Sequence, residues 1–565
     1  MDEITRSFVN EFTNKFQIES NNFSDKFEAF SNFCVVSNEY NRTSFNIEDT
    51  FTGDSTQGID GIAIIINNKL VNSIYEIDDL IELNRTLNVN FIFIQSKTSS
   101  KFNNNDILNF FEWVKTFFRK NSNSIFSSDE MKKFIELKDY IYSKSEYMEE
   151  RNPICSLYYV TTGKWQEDEN LLEVINNNIA ELDNTNLFEK VIFNPCDAKT
   201  IQKMYRKTKE QVSATFLFEK KVTIPSTPKN VQVAYFGMLP FREFKKIIID
   251  ENGNIKNVFD DNIRDFLGFD NDVNEAINKT LKEGKTDFFS ILNNGVTVVA
   301  ERISGAGDTI TITNYQIVNG AQTSHVLYEN VNNEAINNVI IPLRIIITND
   351  DDIKNDITKA TNSQTAVKKE ELEALSEFQK NLETYYNTMT DENRLYYERR
   401  TNQYSNTTIP KTRIVNIPNQ IKSFTAMFLD NPHGVSGYYG TIAKKMGSRI
   451  FRLDHEFVPY YTSAFALYKL DLFFRTNKLP KEAKRMRYHI LMLTRLLVAG
   501  SDMPNLNSPK IREYCKPLTE LLLDNEKSLA VFENIIEKIK KSGIDLGDRK
   551  VFEKKETTDI LLRIL

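Results

Sequence analysis

The chain has 565 residues, a net charge of −7 and 40% hydrophobic residues, with only 14 Pro and 19 Gly. This is an ordinary globular composition with room for two to four domains, and it excludes a polycationic surface at the scale of the whole chain. Four scattered cysteines (Cys34, Cys155, Cys196, Cys515) without CxxC spacing and four distant histidines argue against a disulfide scaffold, a zinc knuckle or a histidine metal site.

The start of the chain, MDEITRSFVNEFTNKF, is polar and acidic, and no apolar run approaches the length of a membrane span. The expectation is a cytoplasmic protein without a membrane partner. Residues 4–36 read as helix in two segments, with Phe8, Phe12, Phe16, Phe27, Phe30 and Phe33 at helical spacing. Strands follow in IDGIAIII, KLVNSIYEI and NFIFIQSK, with Asn67-Asn68 as a tight turn. Residues 105–119 predict an amphipathic helix. CSLYYVTT (155–162) and KVIFN (190–194) predict strands, and a helix then runs through Tyr205. This makes one α/β domain over 1–215.

The pattern changes near 228. VQVAYFGML predicts a strand, 270–283 a helix, and GVTVVAER, TITITNYQIV and VIIPLRIII further strands, with helices at 320–331 and 353–360. This is a second α/β domain over 228–375. The remainder, 376–565, reads as mainly helical with an irregular stretch at 400–420, and 482–499 is its clearest amphipathic helix. Two basic clusters, Arg394, Arg399, Arg400, Lys411 and Arg413, then Lys481, Lys484, Arg485 and Arg487, read as solvated helix faces.

Hydrolysis of a phosphodiester with a divalent metal needs oxygen ligands converging on one point and a cation near the attacking water. Asp60 in Gly58-Ile59-Asp60-Gly61 enters a strand. Gln95 and Lys97 stand two apart on another, so both side chains share a face. If these strands are neighbours, the three residues meet. Aspartate beside glycine also fits a simple turn, and QxK also fits an exposed edge. Glu28, beside the core-facing Phe27, is a fourth candidate, with Glu39 and Glu48 nearby as rivals; Asp54 and Asp78 read as surface turn residues.

These residues resemble the PD-(D/E)xK nuclease superfamily in its Mrr-like form, with QxK in place of ExK. The resemblance implies a restriction-endonuclease-like α/β fold, Mg²⁺ (or Mn²⁺) held by Asp60, Gln95 and Glu28, and Lys97 positioning water and stabilising charge on the phosphate. Gln95 in place of a carboxylate removes one negative charge from that site.

Further along stand FDDNIRDFLG (259–268), INKTL (277–281), FFSILNNGVTVVAE (288–301), YQIVNGAQTSHVLYE (315–329), ITKATNSQTAVKKEEL (357–372), LYYERR (395–400) and FLDNPHGV (428–435). In this order they resemble the abortive-infection phage-resistance (AIPR) family over about 230–440. The resemblance implies an anti-phage defence protein, and the nuclease-like region before it is a common companion. IVNGAQT sets a strand, an Asn319-Gly320 turn and a helix start in succession. Glycine there permits positive φ, and helix-start amides favour phosphate. Asn294, Gly295, Asn319, Gly320, Gln322, Thr323, Asn362 and Gln364 are therefore candidate nucleotide- or phosphate-binding residues, and they equally fit polar groups satisfying buried turns. The motif distantly resembles the DGQHR motif of ParB-like proteins, some of which bind nucleotides. His325 reads as packing.

Two functions follow. The first is an enzyme, a Mg²⁺-dependent endonuclease acting on nucleic acid, DNA before RNA. The second is a nucleotide- or nucleic-acid-binding sensor whose nuclease fold is inactive or partner-dependent. A phage-derived trigger and a homo-oligomer are the further partners expected.

Overall fold

The computed structural model describes the chain apart from residues 21, 41–44, 54–57, 149–151, 210, 226, 251–252, 254, 257, 260–287, 334–335, 338, 351–352, 355, 358–359, 361–365, 391, 400–402, 405–406, 438, 547–549 and 565, and apart from some side chains, Gln322 among them. The expected helix at 270–283 lies outside the described residues, as do 355, 358 and 359 of the one expected at 353–360, whose described residues are helical.

Two compact units form. One joins Met1–Thr208 to Asn381–Leu565, and the other is Lys209–Lys380. The first unit begins with α1 (Glu3–Phe16) and α2 (Phe23–Tyr40). Phe12 packs on Phe30 and Phe33 at ring separations of 5.7 and 5.2 Å, so the helical phenylalanine stripe is the interface between these helices. Then come β1 (Gly61–Ile66), β2 (Lys69–Leu70), α3 (Ile74–Asn84), β3 (Val89–Lys97), α4 (Asn104–Phe118), α5 (Asp129–Ser143), β4 (Ile154–Thr161), α6 (Glu169–Asp183), β5 (Lys190–Cys196) and α7 (Ala198–Lys207).

The sheet has the order β2-β1-β3-β4-β5. β1 runs antiparallel to β3, and β3, β4 and β5 run parallel. Phe91 and Phe93 enter one core and Ile92 and Ile94 the other. Both faces of β3 are covered, which is why its sequence is a continuous apolar run rather than an alternating one.

The expected second strand, KLVNSIYEI, is corrected by the structure. Only Lys69–Leu70 pairs, and α3 starts at Ile74. The Ser73 side chain accepts from Glu76 N at 3.2 Å, and Glu76 Oε2 accepts from Asn72 N at 2.7 Å. This is a capping exchange of the S-x-x-E type, and it outweighs the β-branched composition.

The second unit is built on a sheet of order β6-β10-β9-β11-β8-β7, from β6 (Ser213–Leu217), β7 (Lys220–Thr223), β8 (Val231–Pro240), β9 (Val296–Ala306), β10 (Thr309–Asn319) and β11 (Ile340–Thr348). β9 and β11 are parallel and the other pairs antiparallel. Helices α8 (Phe241–Ile248) and α9 (Ala321–Glu329) pack on it.

The C-terminal part of the first unit is mainly helical, with α10 (Ile417–Phe428), α11 (Val458–Arg475), α12 (Arg487–Ala499), α13 (Lys510–Leu523) and α14 (Asn525–Lys540). The helix expected over 482–499 starts at Arg487 after a 3-10 stretch, Lys481–Met486. It is less amphipathic than its sequence suggests, because His489 through Arg495 are all buried between α10, α13 and α14. The basic clusters are likewise not wholly solvated. Arg399 pairs with Glu383 and Lys484 with Glu48, in both cases with half-buried side chains. Burial lowers the Lys411 ammonium to about 8.

Among the described residues, no helix is long and apolar enough to cross a membrane.

Candidate active site

The β1–β3 register pairs Gly61 with Ile94, and Asp60 N donates to Ile94 O at 2.8 Å, so Asp60 stands opposite Gln95 at the end of the sheet. Its position follows from two glycines. Gly58 has φ +87°, and a Cβ there would lie 2.4 Å from the Trp113 ring. A Cβ on Gly61 would lie 2.4 Å from Asn32 Oδ1. Neither position has room for a larger residue.

The Asp60 carboxylate accepts three hydrogen bonds, all on Oδ2: from Gln95 Nε2 at 2.8 Å, Ser96 N at 2.7 Å and Ser96 Oγ at 2.9 Å. Oδ1 accepts none among the described residues. Burial drives the Asp60 carboxyl above its ordinary value. The Ser96 bonds, the Lys97 charge and the Gln95 bond oppose that shift without cancelling it. Lys97 is half-buried on the same face as Gln95, two residues on.

Three buried polar atoms near this carboxylate have no hydrogen-bond partner: Gln95 Oε1, Asn32 Oδ1 and the Tyr159 hydroxyl. Tyr159 pairs with Gln95 in the β3–β4 register, and its phenol is pushed up first by burial and then by Asp106 and Asp60. Asn32 reaches the loop from α2, donating through Nδ2 to Asp60 O at 3.3 Å.

Asn32 and Tyr159 escaped sequence analysis. Asn32 offers only helical spacing from Glu28, and Tyr159 is one aromatic within a buried strand. Glu28 is half-buried one helical turn before Asn32, and α2 packs along β3, which places Glu28 at the same end of the sheet as Asp60. Its rivals are engaged elsewhere. Glu39 accepts from the Tyr158 hydroxyl and from Asn90 Nδ2, and Glu48 pairs with Lys484. Asp78 accepts from the Tyr140 hydroxyl, and Asp54 lies outside the described residues.

No group of three or more His, Cys, Asp or Glu side chains that could hold a metal occurs among the described residues. The donor set here is instead one carboxylate and amide oxygens. Hard divalent cations accept such oxygens, and the partnerless Gln95 Oε1 beside Asp60 fits a divalent ion, with fewer charges than a carboxylate pair would bring.

In the second unit the structure joins two of the polar segments. A Cβ on Gly320 (φ +87°) would lie 2.8 Å from Gly295 O, and Gly295 itself has φ +78°. Asn294 is exposed beside this junction, Asn319 ends β10, and Thr323 is buried in the first turn of α9. No side chain caps α9, and Ser324 turns inward to Gly320 O at 2.8 Å. The Gln322 side chain, Asn362 and Gln364 lie outside the described residues. The His325 ring packs 4.7 Å from that of Phe259.

These features define a mixed α/β protein of two units, one bearing a carboxylate, an amide and a lysine at one end of its sheet and the other a sheet with a glycine-lined junction at the start of a helix. The chain belongs to the AIPR family: the sequence model described as "AIPR protein" matches residues 259–548, more than half its length. Membership points to abortive-infection defence against phage. No curated protein and no solved structure matches the chain.

Proposed function

We propose that this AIPR protein is a metal-dependent nuclease of an anti-phage defence system, hydrolysing phosphodiester bonds in DNA. The observation that carries the reading is that Asp60, Gln95 and Lys97 lie together at one end of the sheet, with Gln95 Oε1 buried and unpartnered. Asp60, Gln95 and Glu28 would hold Mg²⁺ or Mn²⁺. When bound, the ion supplies Lewis-acid polarisation of the phosphate and a more acidic water.

The residues of the chain have separate tasks. Ser96 and the Gln95 amide orient the Asp60 carboxylate by holding Oδ2, which leaves Oδ1 without a donor among the described residues. Lys97 brings a positive charge to the place where negative charge grows on the phosphate, an effect worth roughly 3–4 kcal/mol for a single well-placed donor. Asn32 braces the Asp60 backbone from α2.

A second reading, a sensor with an inactive or partner-dependent nuclease fold, is favoured by the low acidity of the site and by the upward shift of Asp60, which resists ionisation without a cation. One experiment separates the two. The pure protein is incubated with plasmid, linear DNA and RNA, in Mg²⁺ and in EDTA. Cleavage that needs Mg²⁺ and Asp60 supports the enzyme, whereas intact nucleic acid in every arm supports the sensor.

A further inference from the structure

Beyond the end of α10, residues from 428–430, 449–455 and 503–507 line a cleft of about 510 Å³ in the first unit. Small-molecule sites usually have roughly 300–1,000 Å³. Asp430, Arg449, Arg452 and His455 contribute polar lining, and Leu429, Met503 and Leu506 contribute apolar surface. None of these residues belongs to the Asp60 site or to the Gly295–Gly320 junction.

The polar side chains are fixed from behind. Asp430 Oδ1 is paired with Arg495 of α12, which is 1% exposed and also donates to Met427 O and to the Tyr514 hydroxyl. Arg452 grips Asp454 through Nε at 2.9 Å and Nη2 at 2.8 Å, and Asn507 Nδ2 donates to Asp454 Oδ2 at 3.1 Å, which ties two walls of the cleft together. His455 is 8% exposed. The Tyr460 hydroxyl accepts from Phe451 N at 2.7 Å, so its own proton goes to His455 Nδ1, 3.0 Å away. Burial lowers the imidazole to about 4, so the ring is neutral and carries its proton on Nε2.

Both acids, Asp430 and Asp454, are thus neutralised by arginines. The groups left over at the opening are mostly donors. Arg452 Nη1, His455 Nε2 and the whole Arg449 guanidinium have no partner among the described residues, and Asp430 Oδ2 is the acceptor beside them. Holding the loops together accounts for Arg495 and Asp454, but not for donors that line a cleft and meet nothing. Arginine forks match phosphate oxygens, and the apolar residues offer surface to a flat ring.

We propose that this cleft binds a nucleoside monophosphate: its phosphate oxygens accept from Arg449, Arg452 Nη1 and His455 Nε2, its base lies against Leu429, Met503 and Leu506, and Asp430 Oδ2 accepts from a ribose hydroxyl. The proposal is independent of the nuclease reading.

Calorimetry on the full chain tests it, with AMP, CMP, GMP and UMP as separate titrants and with the nucleosides and ribose 5-phosphate as controls. At least one mononucleotide is expected to bind saturably, with its nucleoside and ribose 5-phosphate about tenfold or more weaker. Arg449→Gln, which removes no bond to a described residue, weakens binding about tenfold or more, and His455→Phe weakens it too. Circular dichroism confirms that each variant is folded, and Arg449→Gln decides if His455→Phe is not. Gln322→Ala in the second unit leaves the affinity unchanged. Binding of no mononucleotide, wild-type affinity in Arg449→Gln, or loss of binding in Gln322→Ala overturns the proposal. A short 5′-phosphorylated oligonucleotide that binds through Arg449 when no mononucleotide does would make the cleft a strand-end site and would equally overturn it.

Discussion

Asp60 makes five hydrogen bonds, three through its carboxylate and two through its backbone, so its chemistry and its backbone role are separable. Asp60→Ala is expected to abolish Mg²⁺-dependent cleavage with the fold retained, measured by plasmid nicking beside circular dichroism; cleavage equal to wild type would sink the assignment. Lys97→Ala is expected to lose cleavage while still binding DNA, because its task lies in the transition state. Parallel loss of binding in a gel-shift assay would make Lys97 a docking residue instead. The raised Asp60 pKa has a stability consequence. A carboxyl whose folded pKa exceeds its unfolded value contributes stability below the unfolded value of about 4, and that contribution fades as pH rises through the folded value. The melting temperature of metal-free wild type should therefore fall relative to that of Asp60→Asn as pH rises from about 4 to 7. A difference independent of pH would contradict the burial argument.

Elements in this protein are set as much by caps and close approaches as by hydrophobic pattern. Ser73 caps α3 and donates to Ser436 O at 2.5 Å. Ser73→Ala should cost about 1–2 kcal/mol in chemical denaturation, with cleavage by the remaining folded protein unchanged. Gly61→Ala should cost about 1–3 kcal/mol, since the new methyl overlaps Asn32 and forces either β1 or α2 to shift. A neutral result would mean that α2 is not pinned to β1 there. In the second unit, ATP, CTP and short DNA titrated against wild type and Gln322→Ala test the phosphate reading of the Gly295–Gly320 junction. Identical binding by both would leave the polar residues as turn structure.

At the scale of the whole molecule, the segment bearing Asp60 folds together with the C-terminal helices. Thr412 bonds Gln17, Lys422 bonds Glu76, and Lys484 bonds Glu48. A fragment ending near residue 215 would expose these charged and apolar faces. It is expected to melt well below the full chain or to precipitate, as followed by scanning calorimetry and light scattering. A fragment as stable as the full chain would show the C-terminal helices to be dispensable.

Local order was legible in the residues. The phenylalanine stripe marked α1 and α2, the β-branched runs marked β1 and β3, and the two-residue spacing of Gln95 and Lys97 placed them on one face, since all of these depend on periodicity within one segment. The seven ordered motifs likewise led to the family. Period alone did not separate the strand Lys69–Leu70 from helix α3, because a capping exchange between Ser73, Glu76 and Asn72 decides that boundary. Only the tertiary structure brought Asp60 opposite Gln95, set Asn32 and Tyr159 beside them, and paired Lys484 of a basic run with Glu48. Those outcomes depend on strand register and on partners hundreds of residues away, which no pattern within a single stretch of chain encodes.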